Sequence, residues 1–181
     1  MGNEHLTALT GAVLLAGFAA EGLTLLSLRR VLLWHFVIGL ALLGPVTLKI
    51  ASVCYRFARY YTGAAPYLRK GPPALLLRLL GPLLIATSLA VLGTGVMLAV
   101  AGPGRGPWLL LHKAAFIVWF GCMTIHVLAY APRLPRLLMR PRRPGAVVGG
   151  GWARVLALAG ALAAGVLVAV LAGHAAAGWQ A

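Results

Sequence analysis

Acid is nearly absent from this 181-residue chain: Glu4 and Glu21 are its two carboxylates, against 16 Lys and Arg and a net charge of +14. Such an excess needs a location more than a partner, and in a chain of this kind it belongs in cytoplasmic loops beside anionic lipid head groups. Nucleic acid is excluded as a partner, because no soluble domain or aromatic-lined basic surface is left over to bind it. Cysteine is equally scarce. Cys54 and Cys122 lie far apart, so there is no disulfide framework and no Cys-x-x-Cys-His for covalent c-type haem attachment. Charged residues of either sign make up only 10%, against 61% hydrophobic, which excludes a soluble core at this length. MGNEHL lacks the basic n-region of a signal peptide, so the first apolar segment is expected to stay as a helix. Leu6 does not fit the myristoylation pattern.

What is present is a set of apolar runs near the roughly 20 residues that span a bilayer. The organising one is WLLLHKAAFIVWFGCMTIHVLAY, residues 108–130, which holds His112 and His126. Ionisable side chains at membrane depth are costly and tend to be functional. Fourteen residues of helix rise about 21 Å and fall about 40° short of four turns, so both imidazoles leave one face at two depths.

The remaining spans are expected at about residues 5–25, 31–54, 74–101 and 152–173, with a tight turn at Leu26 to Arg30 and a kink at Gly44 and Pro45. On the first, His5 heads a face of Ala8, Leu9, Ala12, Ala16 and Ala19, which offers either close helix approach or room for a flat cofactor. On the second, His35 shares a face with Gly39, Leu42, Val46 and Lys49. Lys49 reads first as a snorkelling side chain and otherwise as a counter-charge for an acidic group. The third span has no histidine; its Thr87, Gly93, Thr94 and Gly95 suggest close packing. Residues 55–73 form a basic aromatic loop, and the segment after the fourth span is rich in Arg, Pro and Gly. No repeat, second domain or pair of interrupted helices is evident, which argues against a transporter.

Eleven basic residues flank the loops after the second and fourth spans, against Arg29, Arg30, Arg105 and Lys113 on the alternate side. The positive-inside rule then puts the N-terminus in the cytoplasm and the C-terminus outside. His35 and His112 both fall about 7 Å below the outer boundary. His126 lies about 21 Å deeper. His5 is the histidine available there, provided the intervening chain turns near Ser27. Two histidine pairs at two depths, His35 with His112 and His5 with His126, fit b-type haem, since imidazole is a common iron ligand and bundle cores are common cofactor sites. Zinc and copper fit less well without a carboxylate, thiolate or third imidazole. Phe116, Trp119 and Met123, between the two levels, read as core packing. Glu21 is expected to pair with Arg29 or Arg30, and His174 reads as interfacial.

On these histidines, their spacing and the helix order, residues 4–131 resemble the bacterial cytochrome b561 and nickel-hydrogenase b-type cytochrome superfamily, which includes formate dehydrogenase gamma subunits. The resemblance implies a four-helix core with two haem b, His5 and His126 holding the inner one and His35 and His112 the outer one. It implies transmembrane electron transfer between quinone or quinol and a redox partner protein, as a subunit of an oxidoreductase rather than a self-contained catalyst. The expected architecture is an all-α integral membrane protein of the inner (cytoplasmic) membrane. It comprises a cytochrome-like domain at 1–131, a basic cytoplasmic linker at 132–151, and a fifth transmembrane helix with the C-terminus at 152–181. A one-haem form using His35 and His112, a haem-free anchor or assembly subunit, and a homo-oligomer stay open as alternatives.

Overall fold

The computed structural model describes residues 2–69, 71, 75–102, 104, 106–133 and 151–177, with side chains at 6–69, 71, 75–102, 104, 106–132 and 151–172. The side chains of His5 and His174 and nearly all of the linker expected at 132–151 lie outside the described residues. The elements are α1 (Gly2–Thr24), a 3-10 turn (Leu25–Ser27), α2 (Leu28–Ala41), α3 (Leu43–Tyr61), a short α4 (Ala65–Leu68), α5 (Leu75–Ala101), α6 (Trp108–Tyr130) and α7 (Gly151–Ala177). There is no strand among the described residues. Among the described residues four segments are long and apolar enough to cross a membrane: Leu6–Tyr61, Leu75–Ala101, Trp108–Tyr130 and Gly151–Ala172. Large apolar side chains such as Leu128, Val100 and Leu171 stand outward on these helices, about 70% exposed, as side chains facing lipid do. The chain is an α-helical membrane protein.

The first segment is no single rod. Its 56 residues would make a helix about 84 Å long, more than twice the thickness of a hydrocarbon core. Instead it reverses. Thr7 meets Ser52, the Lys49 side chain lies over Gly11, Leu42 covers Gly17 and Thr24 meets His35. The residue numbers of these antiparallel neighbours add to 59 or 60 at every level. The reversal uses two non-helical residues, Ser27 (φ −141°, ψ 38°) and Val31 (φ −121°, ψ 25°). Its midpoint therefore falls two to three residues later than a turn centred on Ser27. The end of this hairpin that holds Leu25–Ser27 is called the upper end below, and the end near Tyr61 the lower.

The second arm breaks between α2 and α3 at Leu42. Pro45 explains this, because a proline has no N–H to give the carbonyl four residues back and its ring crowds that carbonyl. The carbonyl left without that donor is the one of Ala41, one turn before the proline. Helix α3 then runs on to Tyr61, past the end expected at residue 54, since no breaker occurs before Gly63. That glycine takes φ 79°, and the backbone N–H groups of Gly63 and Ala64 close the helix on the carbonyls of Tyr60 and Arg59.

Helix α7 crosses the α2–α3 break. A Cβ on Gly44 would strike the Ala161 carbonyl, and one on Gly165 would strike the Ala41 carbonyl. Ala161 and Gly165, four apart with Ala169 beyond them, make the small-residue stripe that lets membrane helices approach backbone to backbone. Helices α5 and α6 form a second hairpin, with Leu92 of α5 reaching the core of Leu14, Leu42 and Val46. Gly165→Leu should lower the midpoint of thermal unfolding in detergent, overpacking of this kind costing about 1–3 kcal/mol. Gly160→Ala, where nothing stands within 4 Å of the added carbon, should leave it unchanged.

Candidate functional site

Near the upper end, the Glu21 and Thr24 side chains turn from the last turns of α1 toward His35 on α2. His35 Nδ1 lies 2.8 Å from Thr24 Oγ1 and 3.0 Å from Glu21 Oε1. The Thr24 hydroxyl hydrogen is given to the Glu21 backbone carbonyl at 2.5 Å, so the hydroxyl can only accept from His35. Nδ1 therefore carries a hydrogen. Gly39, one turn below His35, leaves room for the carboxylate; a Cβ there would come within 3.1 Å of Glu21 Oε1. The pairing of Glu21 with Arg29 or Arg30 expected from the sequence gives way to one with His35. The reversal folds α2 back over the face of α1 that carries Glu21, which a wheel drawn for α1 alone does not show.

His112 on α6 is built in the same sense by different neighbours. Its Nδ1 lies 3.0 Å from the Val91 carbonyl of α5 and 3.3 Å from Thr94 Oγ1. A carbonyl cannot donate, so this Nδ1 also carries a hydrogen. Gly95 makes the space, since a Cβ there would stand 3.1 Å from the imidazole Cε1. The carbonyl belongs to the neighbouring helix α5 and not to α6 itself. Helix α5, which has no histidine, thus does more than wall the bundle. His112, when protonated, is near enough for its charge to act on His35. In both neutral rings Nδ1 is occupied and Nε2 keeps its lone pair.

Between the levels, Trp119 is buried, its ring 4.7 Å from Phe18 of α1 and its indole N–H bonded to Ser88 of α5 at 3.0 Å. Phe116 stacks beside it, ring centroids 6.3 Å apart. The Phe18–Trp119 contact fixes the antiparallel level of α1 against α6. Seven residues lower on each helix it puts Gly11 level with His126.

Lys49 occupies that same level. Its Nζ donates to the Thr7 carbonyl at 2.6 Å and lies against Gly11, and its charge reaches His126. A snorkelling lysine would turn to the lower surface; this one turns inward onto α1. His126 stacks on Tyr130, centroids 4.8 Å apart. His5 does not share the level. Its backbone lies six residues beyond Gly11, about 9 Å lower on a helix, opposite Cys54 and Tyr55 in the hairpin. The later reversal is the reason, since a turn centred on Ser27 would have brought residue 5 opposite residue 49. Of the alanine face above His5, Ala16 and Ala19 are exposed, while Thr7, Thr10 and Leu14 carry the packing.

Among the described residues no three His, Cys, Asp or Glu side chains converge; the arrangement is one of pairs. Two imidazoles with Nδ1 occupied and Nε2 free to give its lone pair are a donor set that a haem iron takes, and the residues present fit that group. Compared with protein-family models, with curated proteins and with solved structures, the chain finds no match. The sequence signals that went unread were Thr24, which stands level with His35 once the hairpin closes, and Ser88, seven residues before Gly95 on the α5 stripe facing α6. In cofactor-free protein labelled with 15N-histidine, the rings of His35 and His112 should both show the Nδ1–H tautomer. A majority Nε2–H form in either ring would contradict the geometry.

Proposed function

We propose that the chain is a membrane b-type cytochrome in which Nε2 of His35 and Nε2 of His112 hold a haem near the outer face, and that it carries electrons across the cytoplasmic membrane. The observation that carries this reading is the matched state of the two rings. Metal-ligating histidines nearly always donate their other N–H to a carboxylate or backbone carbonyl, which fixes the tautomer and raises ligand basicity. His35 has Glu21 and Thr24 for this, and His112 has the Val91 carbonyl. A bound haem would supply a one-electron iron couple. The chain's own part is to orient the two ligands and to keep water from the space between the levels with Phe18, Phe116 and Trp119. The Trp119 N–H is spent on Ser88, so the indole adds no unpaired donor there.

The likeness to the cytochrome b561 and nickel-hydrogenase cytochrome superfamily supports quinone or quinol as one partner and a redox protein as the other. With the first segment crossing twice, the chain makes five crossings. The basic loops then lie in the cytoplasm with the N-terminus, and the C-terminus outside, in accord with the positive-inside rule. Protein purified after expression with ample haem should be red, with a reduced α-band and a pyridine haemochrome signal. His112→Ala and His35→Ala should each remove the outer haem, and Glu21→Ala should weaken its retention about 10- to 100-fold, the usual effect of losing such a partner. A colourless wild-type protein would sink the proposal in favour of a haem-free anchor.

A further inference from the structure

We infer that Lys49, and not His5, faces His126 as the second axial ligand of an inner haem. The inference rests on the cytochrome reading above and replaces one of the four residues that the superfamily likeness implies.

Three relations converge on it. His112 lies 77 positions after His35, and His126 lies 77 after Lys49. These arms run in the same direction, so whatever level His35 shares with His112, Lys49 shares with His126. Helix α1 gives the same level independently: Phe18 on Trp119 leads, seven residues lower on each helix, to Gly11 level with His126, and Gly11 is where the Lys49 Nζ lies. Lys49 is also near enough for its charge to act on His126, as that of His112 can on His35. The backbone of His5 stands about 9 Å lower along α1.

The chemistry is consistent with the placement. As a free amine, Nζ has one lone pair and two hydrogens; one hydrogen can go on bonding the Thr7 carbonyl while the lone pair is given to iron. That is the arrangement His112 makes with the Val91 carbonyl. Coordination releases one proton from the ammonium, as metal binding to a basic side chain must. The missing side chain at Gly11 leaves the space; a Cβ there would stand 2.9 Å from Nζ.

The test counts haem per chain in purified protein and records the ferric low-spin EPR spectrum. Wild type should give two haems and two low-spin signals. Lys49→Leu, which keeps apolar bulk but has no donor atom, should give one haem and retain the outer signal, showing that it has folded. Lys49→His should restore the count to two and change only the inner signal, and His5→Ala should keep both haems. The inference is overturned if Lys49→Leu retains two haems or if His5→Ala loses one. One haem in the wild type, lost in His112→Ala, overturns the inner pair alone and leaves the outer site standing. A colourless wild type overturns the cytochrome reading itself.

Discussion

The reversal between α1 and α2 governs the levels at which everything else meets. A helical hairpin in an apolar medium has one adjustable quantity, the residue at which it turns, and each residue of delay lowers every partner on the first arm by about 3 Å relative to the second. With Ser27 and Val31 as the two non-helical points, Thr24 and Glu21 come level with His35, and Thr7 and Gly11 with Lys49. A turn two residues earlier would leave His35 without its hydroxyl partner and Lys49 without its carbonyl. Neither loss is tolerable in a medium where no water replaces the missing bond.

The polar groups inside the bundle follow from that requirement. His35 is satisfied from its own hairpin and His112 from α5, so two chain segments with nothing in common arrive at the same protonated nitrogen. The Glu21 carboxylate has one oxygen on His35 and the other, Oε2, buried with no partner among the described residues. Thr10 is fully buried and gives its hydroxyl to the Leu6 carbonyl, the local solution available to a threonine in a membrane helix. Lys49 and His126 differ from the upper pair in kind: one flexible stem and one ring held by stacking, where the upper pair has two rings held by hydrogen bonds.

Much of this was legible in the sequence, for reasons that can be assigned. The α6 face with His112, Phe116, Trp119, Met123 and His126 follows from helical spacing alone, and the structure turns that face inward. The ends of α5 and α6 follow from Pro and Gly at their boundaries. The depth of His5 did not follow, because the turn's midpoint depends on the backbone angles at Val31, a β-branched residue that nothing in its neighbours marks as non-helical. Glu21 was assigned to arginines because a helical wheel describes one helix and says nothing of what folds over it. The role of α7 was missed because Ala161, Gly165 and Ala169 are read by what they lack, and a missing side chain acquires meaning only when a neighbour's backbone lies against it.

Helix α7 also bears on the site without contributing a side chain to it. Pro45 leaves the Ala41 carbonyl without its donor four residues on, in a segment where water is not at hand. Gly165 brings the α7 backbone against that carbonyl, so its Cα–H lies where a weak C–H···O contact can offset part of the loss. The break at Leu42 falls midway between His35 and Lys49, seven residues from each. Its angle therefore bears on how the upper and lower faces of the second arm are turned toward α6, and α7 packs against the arm on both sides of the break. A helix made almost wholly of Ala, Val, Leu and Gly thus holds two distant polar levels in line, and the constraint it transmits passes through backbone alone.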